Sequence, residues 1–206
     1  MVFPITTRAN AELKNERLEG FEAGLELASS DSVQFALTAF DNKVKDAIAN
    51  VTLDATTRQR QNIDAIHARG VEARAGLVFG AFRLDGSIAY TDAEAQQDGA
   101  DFDGNRPSQT PKWVGVASAS YRIGAHGLVA ATLRHVGAQF EDDLETDVLP
   151  AATTIDAFAE LPITGAFSLV LRGENLTDED IQTRNQGGSI DLGTPRTFWA
   201  GVKVGL

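Results

Sequence analysis

Pro195-Arg196-Thr197-Phe198-Trp199-Ala200-Gly201-Val202-Lys203-Val204-Gly205-Leu206 reads with a period of two. Phe198, Ala200, Val202, Val204 and Leu206 fall on one face, and Trp199, Gly201, Lys203 and Gly205 on the other. This is a strand with one apolar side and one small or polar side. A strand in water gains little from ending on an apolar residue. A strand that seals a membrane barrel puts the apolar face in lipid and the opposite face toward a polar lumen.

Composition narrows the choices. The 206 residues are 43% hydrophobic and 23% charged, with no cysteine. They suffice for one all-β domain or for part of a larger one. No run of about 18 apolar residues supplies a membrane helix, but alternating strands hide a barrel from such averages. A formal net charge of -11 argues against nucleic acid as a partner, since phosphate contacts need clustered Lys and Arg. Without cysteine there is no disulfide framework and no thiolate metal site. Met1 to Arg8 lacks the pattern of a secretory signal peptide. An exported barrel needs one, so the chain is expected to lack its natural beginning.

Working back from the closing strand, the same alternation recurs. Residues 1–17 form an irregular polar lead-in, and 18–206 form the barrel segment. Strands are expected at about 18–28, 33–53, 61–79, 82–90, 113–122, 127–138, 151–163 and 166–177. Ser29-Ser30-Asp31, Gly80-Ala81, Gly124 to Gly127 and Pro162 to Gly165 read as short turns. Leu53–Arg60, 92–110, 139–150 and 178–194 read as long polar loops. Asp41-Asn42-Lys43 is either a hairpin turn or a bulge in one long strand. The bulge preserves the alternation of short and long connections and explains a slip of the apolar phase to Val44 and Ile48. The fold class is therefore all-β: an antiparallel, up-and-down transmembrane β-barrel segment of about nine strands. Single-chain bacterial barrels have even strand counts, and an open edge in a bilayer strands backbone groups. Nine strands are thus expected to be part of a larger barrel, open if alone.

Aromatic spacing points the same way. Tyr90 follows Phe82, Tyr121 follows Trp113 and Leu206 follows Phe198, each by eight residues on one face. On tilted strands eight steps climb roughly 20 Å, close to the height of the apolar band between aromatic girdles. Phe79, Phe82, Tyr121 and Phe167 are expected at the girdle beside the short turns, with Tyr90, Trp113 and Phe198 toward the other. The competing picture, large residues at the strand ends of a sandwich, leaves the Ala and Gly between the bands as a poorly filled core.

Three stretches resemble the C-terminal part of TonB-dependent outer-membrane receptors. They are Asn10 to Glu16 followed by Gly20-Phe21-Glu22-Ala23-Gly24, then Asn62 followed by Gly70-Val71-Glu72, then Glu174-Asn175-Leu176-Thr177-Asp178 with Gly193-Thr194-Pro195-Arg196-Thr197-Phe198. The last pair is the most specific. Asn15, Ile181 and Leu206 stand where the family commonly has Pro, an aromatic and a terminal aromatic. The resemblance implies a 22-stranded barrel in the outer membrane of a Gram-negative bacterium. It implies energy-coupled uptake of a scarce small-molecule ligand such as an iron-siderophore complex. Expected partners are outer-membrane lipid, a plug and N-terminal barrel half missing from this chain, and the TonB system through that missing part only. Arg74, Arg83, Asp85, Arg122, Arg134, Glu160, Arg172 and Glu174 are expected to face the lumen. The chain alone is not expected to transport.

Other chemistry finds little support. Asp98, Asp101, Asp103 and Asn105 miss the spacing of a calcium loop. Glu141, Asp142, Asp143, Glu145 and Asp147 read as a hydrated acidic loop, or as a site for cations bridging to lipopolysaccharide. His67, His126 and His135 lack ligand spacing. No nucleophile elbow or phosphate loop occurs, so no enzymatic activity, cofactor or metal is expected. The alternatives are a small complete outer-membrane barrel with a structural or adhesive role, and a soluble all-β binding module.

Overall fold

In the computed structural model, residues 5–29 and 32–205 are described. Ser30 and Asp31 of the first expected turn, and Leu206 of the closing strand, lie outside them. The strands in chain order are β1 (Thr6–Arg8), β2 (Arg17–Ala28), β3 (Val33–Asp54), β4 (Thr57–Phe79), β5 (Phe82–Gln96), β6 (Trp113–Ile123) and β7 (Gly127–Val136). Then follow β8 (Gln139–Phe140), β9 (Val148–Leu149), β10 (Ala152–Pro162), β11 (Phe167–Glu174), β12 (Gln182–Gln186), β13 (Ser189–Leu192) and β14 (Thr197–Val204). Nine strands form one antiparallel meander in the order β14-β11-β10-β7-β6-β5-β4-β3-β2, with β1 added in parallel beside β4. β8–β9 and β12–β13 are separate two-stranded ribbons. β2 and β14 are the two edges of the meander and do not pair with each other.

The register sorts the side chains. Phe21, Leu25, Leu37, Ala73, Leu84, Ala119, Ala131 and Leu133 share one face. Leu169 opposite Val202, and Leu171 opposite Ala200, continue it to the last strand. Among the described residues nothing covers this face. Phe21 is 86% exposed, Phe198 70% and Val202 65%, while Leu133 is also exposed and Leu169 is half-buried. The sandwich alternative required a second layer here, and there is none among the described residues. An apolar surface of this extent needs a covering, and hydrocarbon is the covering an alternating sheet is built for.

The aromatic levels coincide with the edges of that band. Phe82 and Tyr121 face each other with ring centroids 4.6 Å apart, and Tyr90 and Trp113 do so at 4.8 Å. Beyond Tyr90 and Trp113 the same face turns charged. Lys45 pairs with Glu19 at 2.7 Å, His67 with Asp41 at 2.8 Å, and Asp92 with both Arg69 and Lys112 at 3.3 and 2.9 Å.

Two expectations need correction. β3 runs through Asp41, Asn42 and Lys43 with unbroken register, so no residue is inserted there. The irregularity lies at Asp46, whose φ is 52°. There Glu16 accepts a hydrogen bond from Ile48 N at 2.7 Å, and Asn62 donates to Asp46 O at 2.6 Å. The expected polar loop 53–60 is instead a tight hairpin. β3 continues to Asp54 and β4 starts at Thr57, with the register shift between Thr52 and Asp54. Polar residues such as Arg58 and Gln59 carry no strand pattern because the strands have left the apolar band there and need no hydrophobic alternation. The lead-in crosses this hairpin between β1 and β2, with Lys14 N donating to Asn62 Oδ1 at 2.7 Å.

Gly70 marks a close approach. A Cβ at this position would lie 2.1 Å from Tyr90 O and 2.6 Å from the Phe40 ring. Its absence lets Phe40 lie across β4.

Adjacent residues on β3 test the facing. Leu37→Arg is expected to destabilise the folded, lipid-inserted sheet by about 2–4 kcal/mol, because it puts charge on the apolar face. Thr38→Arg, which faces Glu72 across the ladder, is expected to be tolerated. Urea unfolding in lipid vesicles measures both, and equal costs would mean the faces are assigned wrongly.

Candidate functional site

The long connections gather at one end of the sheet and hold one another. The β5–β6 loop folds back on β5 through Gly104 N to Ala95 O at 2.9 Å and Ala95 N to Asn105 O at 2.8 Å. Asn105 then donates to Asp143 O at 2.9 Å, Arg106 N to Glu145 at 3.0 Å and Gln109 to Glu141 at 2.9 Å. Asp143 accepts hydrogen bonds from Thr52 N and Oγ1 at the tip of β3. From the β12–β13 hairpin, Asn185 donates to Val148 O at 3.1 Å and Gly187 N to Asp147 at 3.0 Å. A small apolar cluster of Ala47, Ile63, Ala95 and Phe102 sits under this cap.

The acidic run is therefore not a hydrated loop. Glu141, Asp142 and Asp143 are buried. Such burial is tolerable because neutral donors bond the carboxylates. Asp142 accepts from Thr146 N, Thr146 Oγ1 and Asp147 N at 2.9, 2.6 and 2.8 Å. Burial by itself raises its pKa. The Thr146 and Asp147 hydrogen bonds, with the charge of Arg58, outweigh that and hold the carboxyl below its ordinary range. At the β3–β4 turn, hydrogen bonds from Thr56 N and Oγ1 likewise lower Asp54.

Between these loops opens a cleft of about 530 Å³, lined among others by Thr52, Asp54, Arg58, Asp101, Phe102, Asp142 and Asp147. Arg58, in the segment expected as a polar loop, is nine-tenths buried beside it. No local motif marks Arg58, because Asp101, Phe102, Asp142 and Asp147, which line the cleft with it, come from two later loops of the chain. Asp98, Asp101, Asp103 and Asn105 lie in the β5–β6 loop without converging. Asp103 accepts from Gln97 N at 2.8 Å. Among the described residues no group of three or more His, Asp or Glu side chains is arranged to hold a metal ion.

The eight expected lumen residues all lie on the sheet face opposite the apolar one. The register links Arg74 to Arg134 through Ser87 and Val116, and Arg83 to Arg172 through Ser120, Ala130 and Phe158. Asp85 is joined to this face through Ser118, Arg122 and Glu160 through Leu128, and Glu174 through Thr197. Contacts between them are local. Arg83 pairs with Asp85 at 2.7 Å, Arg172 with Glu174 at 2.6 Å, and Glu160 with Lys203 at 2.9 Å. Arg122 donates to Gly80 O at 3.5 Å. They line a face rather than converge on a point.

The Asn175 stretch is a clasp. Asn175 is 3% exposed with φ 48°, a left-handed conformation that Asn tolerates. Its side chain donates to Glu179 O and Thr194 O at 2.9 and 3.1 Å and accepts from Glu179 N at 3.0 Å. Asp178 pairs with Arg196 at 2.9 Å. This ties the start of the last loop to its end.

Residues 2–176 match the family of TonB dependent receptor-like β-barrels. The metal-pseudopaline receptor CntO of Pseudomonas aeruginosa is 29% identical over 202 residues, which are 94% of this chain and 28% of that protein. The vitamin B12 transporter BtuB of Photobacterium profundum is 27% identical over 176 residues, 83% of this chain and 28% of that protein. In fold, the chain is similar to the ferric yersiniabactin uptake receptor FyuA from Yersinia pestis, with TM-score 0.79 and 19% identity over 92% of this chain and 30% of that one. The chain thus spans less than a third of the length of these proteins.

Two measurements test the cap. Asn175→Ala removes the clasp's hydrogen bonds to Glu179 and Thr194, at an expected cost of about 1–3 kcal/mol in unfolding free energy; a loss within error would make the clasp incidental. Because the Asp142 pKa is depressed by folding, the unfolded chain binds more protons as pH falls. Its stabilisation is present above the ordinary aspartate pKa and lost as pH drops through the lower folded value. Hydrogen-exchange protection of residues 141–147, corrected for intrinsic rate, should stay flat between about pH 7 and about pH 5. Loss of protection within that window would contradict the depressed value.

Proposed function

The chain belongs to the TonB-dependent receptor β-barrel family, and from that membership we propose that it forms part of a receptor that takes up a scarce small-molecule ligand, such as an iron-siderophore complex. Members of the family are transporters of the Gram-negative outer membrane, not enzymes. The observation that carries the ligand-binding reading is the cap. Four connections that could each have been a separate loop are bonded into one surface around a cleft, at the end of the sheet away from the short turns.

In this reading the apolar face meets outer-membrane lipid. Arg74, Arg83, Asp85, Arg122, Arg134, Glu160, Arg172 and Glu174 face the lumen and the plug, where paired charges present a hydrated wall. Strand β14, with Phe198, Ala200, Val202 and Val204 outward, closes the barrel against a strand supplied by the rest of the receptor. The edges of β2 and β14 need such partners, since an unpaired backbone group in hydrocarbon costs several kcal/mol. The plug and the segment that engages the TonB system are assigned to the rest of the receptor as well. The chain alone therefore does not transport.

A strain lacking the gene for this chain is expected to grow poorly when a ferric siderophore is the sole iron source, and normally on ferrous iron. Unchanged growth on every siderophore tried would overturn the siderophore assignment. A defect confined to cobalamin-dependent growth would replace it with a different ligand.

A further inference from the structure

Just above the level of Tyr90 and Trp113 the outward face turns from apolar to charged, and there cations outnumber the carboxylates they share. On β2 and β3, Arg17 stands opposite Lys45, Glu19 opposite Lys43 and Phe21 opposite Asp41. β4 continues these rows with Ala65, His67 and Arg69, and β5 with Gln96, Glu94 and Asp92. Lys112 joins the lowest row through its 2.9 Å pair with Asp92. The belt thus holds five Lys and Arg side chains, with His67, against four carboxylates, in a chain whose formal net charge is -11.

The surplus is concentrated on β2 and β3. Lys45 pairs with Glu19 at 2.7 Å, and the charges of Arg17 and Lys43 act on the same carboxylate. Neither Arg17 nor Lys43 has a hydrogen bond or ion pair of its own among the described residues. One carboxylate therefore serves three cations, and Arg17 and Lys45 face each other directly across the ladder, where like charges repel. The other carboxylates are committed elsewhere. Asp92 serves both Arg69 and Lys112, and Asp41 is paired with His67. Glu94 lies opposite His67, two strands and about 10 Å from Lys43.

The apolar band begins immediately below. Phe21 is 86% exposed, and the next row down is Ala23, Ala39, Val71, Tyr90 and Trp113. One row is about 5 Å along a tilted strand. A cation surplus this close above hydrocarbon matches an amphiphile that carries its phosphate just above its acyl chains. A soluble phosphate would meet the same charges but gain nothing from the band.

We propose that the outward cluster of Arg17, Lys43 and Lys45 binds the phosphate of an outer-leaflet lipid, whose acyl chains lie on the apolar face around Phe21. This rests on the outer-membrane setting of the chain and is independent of the ligand that the receptor takes up.

The test titrates the full chain, folded in neutral detergent, with phosphatidate or with phosphatidylcholine, and counts bound lipid by native mass spectrometry. Phosphatidate is expected to bind more tightly than phosphatidylcholine. Arg17→Gln and Lys43→Gln should each weaken phosphatidate binding by about fivefold, the effect of one cation near an anionic lipid, and leave phosphatidylcholine binding unchanged. Lys43→Arg should retain binding. Arg74→Gln combined with Arg134→Gln removes two charges from the opposite face and should leave phosphatidate affinity as it is. Heat-shifted gel mobility checks the fold of each variant. If the Gln variants do not fold, salt decides on the native chain, because a pairing with exposed cations weakens as ionic strength rises. The proposal is overturned by any of four results: no preference for phosphatidate, equal binding by the native chain and the folded Gln variants, an equal loss from the opposite-face variant, or phosphatidate affinity that salt does not change. Displacement of phosphatidate by an equal concentration of glycerol phosphate would overturn the lipid as its source.

Discussion

A backbone amide in hydrocarbon has no water to bond, so every N–H and C=O at that depth must be matched within the sheet. This one constraint accounts for most of the molecule. It makes the nine meandering strands continuous where they cross the apolar band, with β2 against β3 and β4 against β5 in unshifted register. It also removes the usual role of a core. The largest apolar side chains point outward, and between the aromatic levels cohesion comes from the ladder and from cross-strand pairs such as Phe82 with Tyr121.

Where the strands rise past Tyr90 and Trp113 the constraint relaxes, and the structure changes character. Asp46 takes a left-handed conformation, which is affordable because Glu16 and Asn62 bond the backbone beside it. The β3–β4 hairpin shifts register near its tip. A conventional core appears, small and confined to Ala47, Ile63, Ala95 and Phe102. Charged groups become structural, with Asp142 and Asp143 buried as acceptors for loop backbone and threonine hydroxyls. The same chain therefore obeys membrane rules at one level and globular rules a few residues higher.

The stretches that resemble the receptor family are the ones that manage the passage between these regimes. Asn62 holds the lead-in against the hairpin. Asn175, with Asp178 and Arg196, fixes where the last loop leaves the sheet and where it returns. Such positions need particular polar atoms at particular geometry, whereas Val, Leu and Ala exchange freely on a lipid-wetted face.

Period-two alternation from Phe21 to Val204 is a local property, so the strands, their faces and the apolar side were legible in the chain itself, as were the aromatic levels. The apparent slip at Asn42 and the polar run at 53–60 have one cause: above the bilayer a strand no longer alternates, so polarity stops reporting conformation. What only the tertiary structure decided is the cap. Asp142 is buried and Arg58 is left facing a cleft because segments far apart in sequence meet there, and no spacing within any one of them records that meeting.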